Sequence, residues 1–445
     1  MIAYGLDFGT TNSVVAKVEG TKAVPLQLEN KSSIVRSTLY FHPETGSAIG
    51  QEAIDKYLED VAKGEPLKLI TEKTGRIIMQ AVYTPSGYAG EKPVEEYIDR
   101  EIGNRGRLLQ GLKSVLANKY FTETELFGKK YTVEDLLQMI LSDLKNRADR
   151  TTGVSSEAVV LGRPVKYVGK DEATALFRME KVAKEVGFKQ IEFEPEPLAA
   201  ARAYNINVDH PQNILVFDFG GGTLDISITR APEGKIIAVE GAPIGGDLLN
   251  SMIFIQKLLK YFGGNAKYGD KGLPMPTYIE RALENWYSIS LLKTKSFLET
   301  IEKLQEMSSD KEALNRLRDL ITYNLGFMIY EGIDSAKQKI STVDSASISI
   351  HQNSIQIQEI LEKIEFEYII EQKLKEINAL VNLTLCSAQL KPEDIDVVVT
   401  TGGSSLIPIV QKHLQFKFGE EKIKSFDVFE SVAKGLALKA KEVYD

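Results

Sequence analysis

The fold of this chain is decided by two short stretches, GLDFGTTNS at residues 5–13 and FDFGGGTLD at residues 217–225. In each, an apolar run of strand character reaches an Asp-Phe-Gly corner that carries hydroxyl groups, and a second apolar run follows. Apolar runs separated by such a turn predict a β-hairpin at each place. Because the two stretches lie about half the chain apart, they indicate two related lobes that each open with a hairpin, rather than a short-period repeat array.

A third apolar run, residues 395–401, ends in Gly402-Gly403-Ser404-Ser405, and Pro408 and a further apolar segment follow. This order predicts a buried strand, a glycine turn and a helix with proline in its first turn. Elsewhere, strand-like and helix-like runs alternate, which places the chain in the α/β class with mixed sheets. The clearest of these runs are the strands at 158–162, 347–351 and 355–357 and the helices at 171–186, 195–204 and 366–388.

Two regions depart from this alternation. Residues 248–340 are mostly helical in character, with few β-branched runs. Residues 63–107 are the least regular part of the chain, because Gly and Pro recur throughout them. Since these two residue types interrupt helices and strands, we interpret 63–107 as a candidate insertion.

The bulk properties limit the class of protein. A chain of 445 residues is too long for one ordinary core, so two or three lobes are expected. The sequence has 43% hydrophobic and 26% charged residues and no apolar run of about 18, which predicts a soluble protein without membrane contact. Its start shows no cleavable apolar segment, so we expect a cytoplasmic location. A net charge of −8 argues against a nucleic-acid partner.

The single cysteine, Cys386, excludes an internal disulfide and a multi-thiolate metal site. We expect it to be a buried and unreactive thiol.

The two hairpin turns carry the groups that a nucleoside triphosphate needs. Its phosphates require close backbone N–H groups, hence glycine, together with hydroxyls and a metal ion. Magnesium prefers oxygen ligands and keeps several of its waters, so one or two carboxylates suffice. Asp7 and Asp218 stand at strand ends directly before the turns. The N–H groups and hydroxyls would come from Thr10, Thr11, Asn12, Gly220, Gly221, Gly222 and Thr223.

One Asp-Phe-Gly corner alone would be better explained as an ordinary hairpin turn. Two of them, together with Gly402-Gly403-Ser404 opening a helix, favour a phosphate site, because a helix N-terminus offers N–H donors and the positive end of its dipole. The sequence contains no G-x-x-x-x-G-K-[ST], G-x-G-x-x-G, H-E-x-x-H or G-x-S-x-G motif that would indicate another site.

Six stretches, in order, resemble the ATPase region of the seventy-kilodalton heat-shock chaperones (DnaK-type), within the actin and sugar-kinase superfamily. They are GLDFGTTNS at 5–13, EPLAAARAY at 196–204, FDFGGGTLD at 217–225, GGD at 245–247, AKQKIS at 336–341 and TGGSSLIP at 401–408. The resemblance implies an actin-like ATPase fold, that is, an α/β fold of two lobes, each built on a mixed β-sheet with flanking helices, around a nucleotide cleft.

The same resemblance divides the chain. Lobe I would comprise residues 1–205, with the insertion near 63–107. Lobe II would comprise 206–445, with a helical subdomain near 248–340 and a C-terminal helix that packs back on lobe I. We expect no peptide-binding domain after it, as in the truncated YegD-type branch of the family.

Roles for individual residues follow from the resemblance. Asp7 and Asp218 would hold the water shell of Mg²⁺, and Glu196 would orient the attacking water or the metal shell. Lys113, in a stretch similar to the family's lysine-bearing segment, would neutralise charge on the γ-phosphate; the alternative is a solvated helix lysine. With Thr223, these form the candidate catalytic set Lys113, Glu196, Asp218 and Thr223. The remaining nucleotide contacts would be Thr10, Thr11, Asn12, Gly220, Gly221, Gly222, Gly245 and Gly246 around the phosphates, Gly402, Gly403 and Ser404 beside the ribose, and Asp334, Lys337 and Ser341 at the purine.

The sequence departs from the family at two positions expected to contact the purine. Gln338 and Leu406 stand where the family has arginines that could stack on a base, which argues against tight ATP or ADP binding.

The expected function is slow Mg²⁺-dependent ATP hydrolysis that drives a conformational switch, with co-chaperone or client proteins as candidate partners. The alternatives are a nucleotide sensor or filament scaffold with little hydrolysis and, less favoured, a small-molecule kinase, for which no Gly-Asp-Gln turn with a carboxylate base is present.

Overall fold

Short apolar runs of the sequence form the main strands of this chain, and most of the apolar residues in these runs are buried. The computed structural model describes residues 2–445 except 65, 67, 85–86, 103–105, 166, 168–170, 205–209 and 426–427. The strands of the described residues are β1 (Ala3–Phe8), β2 (Asn12–Glu19), β3 (Lys22–Pro25), β4 (Ile34–Arg36), β5 (Thr38–His42), β6 (Gly46–Ile49), β7 (Lys68–Thr84), β8 (Gly87–Ile102), β9 (Arg107–Gln110), β10 (Glu123–Leu126), β11 (Lys129–Thr132), β12 (Ala158–Arg163), β13 (Gln190–Pro195), β14 (Gln212–Phe219), β15 (Leu224–Ala231), β16 (Lys235–Ala242), β17 (Ser345–Gln352), β18 (Ile355–Glu362), β19 (Val397–Thr401) and β20 (Ile423–Lys424).

The helices cover the strands and fill most of the second half of the chain. They are α1 (Gln51–Ala62), α2 (Leu112–Val115), α3 (Val133–Thr152), α4 (Glu172–Glu185), α5 (Glu196–Tyr204), α6 (Gly246–Ile253), α7 (Thr277–Leu283), α8 (Trp286–Leu291), α9 (Lys295–Met307), α10 (Lys311–Thr322), α11 (Gly326–Lys339), α12 (Lys363–Ile369), α13 (Glu371–Ser387), α14 (Pro408–Phe418) and α15 (Ser431–Tyr444). As the sequence predicts, α14 begins with Pro408 in its first turn.

Two sheets of the same topology form the centres of two lobes. The first has the strand order β13-β12-β1-β2-β3, and the second has the matching order β20-β19-β14-β15-β16. In both, the leading strand (β1 or β14) pairs antiparallel with the strand that follows it and parallel with a later one. The expectation of two related lobes, each opening with a hairpin and built on a mixed sheet with flanking helices, is therefore confirmed. The boundary expected at 205–206 lies outside the described residues.

Helix α15, at the end of the chain, packs on the first lobe. It contacts β1 and α5. A Cβ on Gly5 would overlap the backbone at Ala437, and a Cβ on Gly435 would overlap the carbonyl oxygen of Ala199. Gly5 allows α15 to approach β1 closely and Gly435 allows it to approach α5, so α15 completes the core of the first lobe.

Residues 68–102 are more regular than the sequence indicates. Strands β7 and β8 form a two-stranded ribbon, with register shifts near Gly75 and near Tyr83. The ribbon exposes apolar side chains, with Ile77 at 72% and Met79 at 58% exposure. The expectation of irregular structure was wrong because Gly and Pro occur here at bulges and on an unpaired edge, where strands tolerate them.

Three smaller expectations have definite outcomes. The helix predicted over 366–388 is two helices, α12 and α13, which meet at Ile370. Cys386 is exposed rather than buried, because it lies on a solvent-facing position of α13. Among the described residues, no helix is both long and apolar enough to cross a membrane.

Candidate functional site

A cleft of about 690 Å³ lies between the two lobes, at the ends of β1 and β14. Because these strands occupy the same place in their sheets, Asp7 and Asp218 come to matching positions on opposite sides of it. The cleft is lined by thirteen of the residues named from the sequence: Asp7, Thr10, Thr11, Asn12, Lys113, Glu196, Asp218, Gly220, Gly221, Gly222, Thr223, Gly402 and Gly403.

The two turns have the same closing hydrogen bond. The Gly9 N–H donates to the carbonyl oxygen of Asn12 at 3.0 Å, and the Gly220 N–H donates to that of Thr223 at 3.0 Å. The turns also touch across the cleft, since a Cβ on Gly221 would lie 2.5 Å from Thr11 Oγ1. That hydroxyl oxygen is buried and has no hydrogen-bond partner. A buried polar atom without a partner is costly, so Thr11 fits a ligand with hydrogen-bonding oxygens, such as a phosphate.

Carboxylates crowd the floor of the cleft. Burial, followed by the charge of Glu196, raises the pKa of Asp218 to about 6 and holds that of Asp7 well above its ordinary range. Burial, followed by the charge of Asp218, raises the pKa of Asp225 to about 7. Each shift has the direction expected where negative charge exceeds nearby positive charge, and a bound cation would offset it.

The donor set suits magnesium rather than a metal that is enclosed by protein ligands. Among the described residues, no three His, Cys, Asp or Glu side chains converge as direct metal ligands. Mg²⁺ retains several waters and needs only one or two carboxylates, and Asp7 and Asp218 supply that number on facing strands.

Lys113 pairs with Glu196 at the lobe I side of the cleft. Its Nζ donates to Glu196 Oε1 at 2.7 Å, and the two side chains are only 14% and 11% exposed. Burial by itself lowers the pKa of Lys113, but the carboxylates of Glu196 and Asp7 raise it more, and the net shift is upward. Lys113 is therefore a buried, charged lysine beside the cleft floor and not a solvated helix lysine.

A second set of the residues named from the sequence lies behind the loop at 220–223 and does not line the cleft. The Gly246 N–H and Ser404 Oγ both donate to the carbonyl oxygen of Gly220 at 3.0 Å. Lys337 Nζ donates to Gly246 O at 3.2 Å and pairs with Asp334 at 2.7 Å. A Cβ on Gly245 would overlap the backbone of Gly221. These groups support the loop from behind.

Ser341 is the remaining purine candidate. It follows the end of α11, and its side chain is not among those that line the cleft.

Some residues of the cleft were not assigned a role from the sequence. Asp225 could have been found, because it belongs to the second quoted stretch and accepts a hydrogen bond from Thr223 Oγ1 at 2.9 Å. Tyr167, Asp247, Trp286, Tyr287 and Phe429 also line the cleft. Asp247 ends the GGD stretch at 245–247 and could likewise have been found from the sequence. The local sequences of the four aromatic residues carry no phosphate-site pattern, so only the three-dimensional structure reveals them.

The paired sheets, the facing turns and the intervening cleft define the class as the actin-like ATPase fold. A family model described as Hsp70 protein matches residues 95–267 and 297–443, and the chain belongs to this family.

Two similar curated proteins are the "Chaperone protein DnaK" sequences of two strains of Thermus thermophilus. Each is 27% identical over 453 aligned residues, which cover 98% of this chain and 60% of the relative. The chain thus spans about 60% of the length of these relatives. Residues 268–296, which contain Trp286 and Tyr287, lie between the two parts that the family model matches.

Proposed function

We propose that this chain binds ATP and ADP with Mg²⁺ in the cleft, hydrolyses ATP slowly, and uses the bound nucleotide to switch the closure of its two lobes. The observation that carries the proposal is the pair of equivalent turns at 9–12 and 220–223, which face each other across a carboxylate floor. Membership in the Hsp70 family supports it.

The glycine-rich turns would bind the phosphates through backbone N–H groups and the hydroxyls of Thr10, Thr11 and Thr223. Bound Mg²⁺ would neutralise phosphate charge and act as a Lewis acid. Asp7 and Asp218 would hold it through its waters.

For hydrolysis, Glu196 would accept a hydrogen bond from the attacking water. Lys113, held by Glu196, would stabilise the charge that develops on the γ-phosphate oxygens. The water oxygen attacks phosphorus, the bond to the β,γ-bridging oxygen breaks, and ADP leaves with that oxygen, while the two water protons remain on the released phosphate as H2PO4⁻ or pass from it to solvent.

Closure of the two lobes would give partner proteins a signal of the bound nucleotide. Because the two turns belong to different lobes, a bound triphosphate would hold the lobes together, and its loss would release them. We propose that co-chaperone or client proteins read this closure, and that the protein works in the cytoplasm.

The test is isothermal calorimetry with ATP and ADP, with and without Mg²⁺, followed by phosphate release from the same sample. Magnesium-dependent binding with slow phosphate release is expected. Asp218→Asn should abolish turnover, whereas Asp270→Asn, at an exposed position, should not. Unchanged turnover in Asp218→Asn would contradict the assignment, and tight binding without turnover would favour the nucleotide sensor.

A further inference from the structure

The wall of the cleft beside Gly402 and Gly403 is built from two turns that are bonded together. The Gly402 N–H donates to the carbonyl oxygen of Val428 at 3.0 Å. Phe429 follows, and a Cβ on Gly403 would lie 3.0 Å from its ring. The ring therefore packs on bare backbone, half-buried, and also lines the cleft. Phosphate binding and hydrolysis require no such apolar ring.

This wall adjoins the second phosphate turn. A Cβ on Gly402 would overlap the carbonyl oxygen of Phe219 and lie 2.8 Å from the Gly220 nitrogen. A ligand with its phosphates on residues 220–223 can therefore extend over Gly402 and Gly403 to the ring of Phe429. The phosphates gain nothing from this ring, because the face of an aromatic ring carries partial negative charge, whereas a flat base can stack on it.

The residues expected at the purine are engaged elsewhere. Besides its contacts with Gly246 and Asp334, Lys337 Nζ donates to Asn250 Oδ1 at 2.8 Å. Gln338 Nε2 donates to Asp334 Oδ2 at 2.6 Å. Leu406 is aliphatic and 43% exposed. Positions 337, 338 and 406 therefore place no planar cation over a base. Stacking on the base would have to come from another flat side chain.

We propose that Phe429 stacks on the base of the bound nucleotide and is a specificity-determining residue of the cleft. The proposal rests on the proposed nucleotide site and adds the residue that contacts the base. Stacking of a base on an aromatic ring tolerates every base, because each has a π-face. Phe429 therefore favours nucleotides over inorganic phosphates, and we expect it to distinguish poorly between ADP and GDP.

The test compares two probes on the full chain by calorimetry in the presence of Mg²⁺: ADP, and inorganic tripolyphosphate, which has no base. Phe429→Ala should weaken ADP binding by roughly 5- to 150-fold, the range for loss of one base–aromatic stack. Its tripolyphosphate affinity should stay unchanged, which also shows that the variant is folded. Phe429→Tyr should retain ADP affinity. Phe416→Ala is the matched control, because Phe416 is 95% exposed on α14.

Three results would overturn the inference while leaving the nucleotide site intact. They are an unchanged ADP affinity in Phe429→Ala, an equal loss for both probes, and a selective loss of ADP in Tyr287→Ala instead. The last would place the base at the other aromatic end of the cleft. A wild-type chain that binds neither probe would overturn the proposed function, and this inference with it.

Discussion

Arg36 and Glu331 form an ion pair between the two lobes, with 2.7 Å between Nη2 and Oε1. Arg36 ends strand β4 of the first lobe, and Glu331 lies on helix α11 of the second. A second link joins the same two lobes, because the hydroxyl of Tyr57 on α1 donates to the carbonyl oxygen of Asn324 at 2.5 Å. Besides apolar packing between the lobes, such as that of Tyr57 on Phe327, these two polar contacts can each be removed by a single substitution.

Removing the charge of Arg36 should let the lobes open more readily. We expect Arg36→Ala to speed ADP release by at most about fivefold, because partly exposed ion pairs contribute about 0.2–1 kcal/mol. The effect should shrink at high salt. Stopped-flow fluorescence of Trp286, the single tryptophan, follows the release, since its side chain lines the cleft.

The charge swap supplies the control for this prediction. Arg36→Glu combined with Glu331→Arg should release ADP more slowly than Arg36→Glu alone. Lys189→Ala, which breaks an exposed pair with Glu157 within the first lobe, should leave release unchanged. Equal rates in the single and double variants would show that the pair does not hold the cleft closed.

Lys113→Met should lower both the rate of ATP hydrolysis and the stability of the protein. Loss of the ammonium group should lower ATP hydrolysis by about 10²- to 10³-fold, because one preorganised charge stabiliser is removed. It should also lower the free energy of unfolding by about 3 kcal/mol, because Glu196 is left buried without its partner. Single-turnover phosphate release and urea unfolding measure the two effects.

The double variant Lys113→Met/Glu196→Gln should regain most of this stability but no activity. Lys119→Met, at an exposed position of the same segment, is the control and should change neither quantity. Wild-type turnover in Lys113→Met would exclude the lysine from the reaction.

The crowded carboxylates predict how the metal-free protein responds to pH. Folding raises the pKa of Asp218 to about 6 and that of Asp225 to about 7, so the folded state binds protons that the unfolded state has already lost. Their stabilising effect is therefore complete below pH of about 4 and is lost as the pH rises through 6 and 7. Thermal unfolding between pH 5 and pH 8 should show this decline, and Asp225→Asn should reduce it.

Bound Mg²⁺ and ADP should offset this loss of stability with rising pH, because metal binding needs the ionised carboxylates. The thermal shift that Mg·ADP produces should grow from pH 5 to pH 8. A metal-free wild type that gains stability over this range relative to Asp225→Asn would contradict the assignment of these shifts.

Two helical glycines should respond in opposite ways to the same substitution. Gly332→Ala on α11 meets nothing closer than 3.9 Å and should stabilise the protein by up to about 1 kcal/mol through helix propensity. Gly435→Ala on α15 would collide with the carbonyl oxygen of Ala199 and should destabilise it by about 1–3 kcal/mol. The measurement is the midpoint of urea unfolding, compared at an unchanged dependence of the unfolding free energy on urea concentration. A stabilised Gly435→Ala would refute the close packing of α15.

The sequence predicts those features of the fold and the site that are set by residues close together in the chain. The turns around Asp7 and Asp218 are local, because a strand, a glycine corner and a return strand lie within about a dozen residues. The pairing of the two lobes could be inferred from their similarity alone. Lys113 was placed by resemblance, and the structure adds the contact with Glu196 that keeps it buried.

What could not be predicted depends on contacts between distant segments. Lys337 lies on an ordinary helix, and nothing near it indicates that Gly246 and Asn250 occupy its ammonium group. Phe429 and Trp286 reach the cleft only through contacts with residues distant in the sequence, such as Gly403 and Phe327. In the β7–β8 ribbon, the sequence signal was misleading, since Gly75 and Pro93 mark a bulge and an edge rather than a loop.

The packing of α15 on β1 has a consequence for how the protein is made. The strand that carries Asp7 is synthesised about 400 residues before residues 431–444, which cover it. The first lobe therefore cannot bury its sheet fully until this helix has emerged, and its apolar face is open to chaperones or to aggregation until then. Vectorial synthesis should thus favour early folding of the second lobe, with the first lobe closing only after α15 is available.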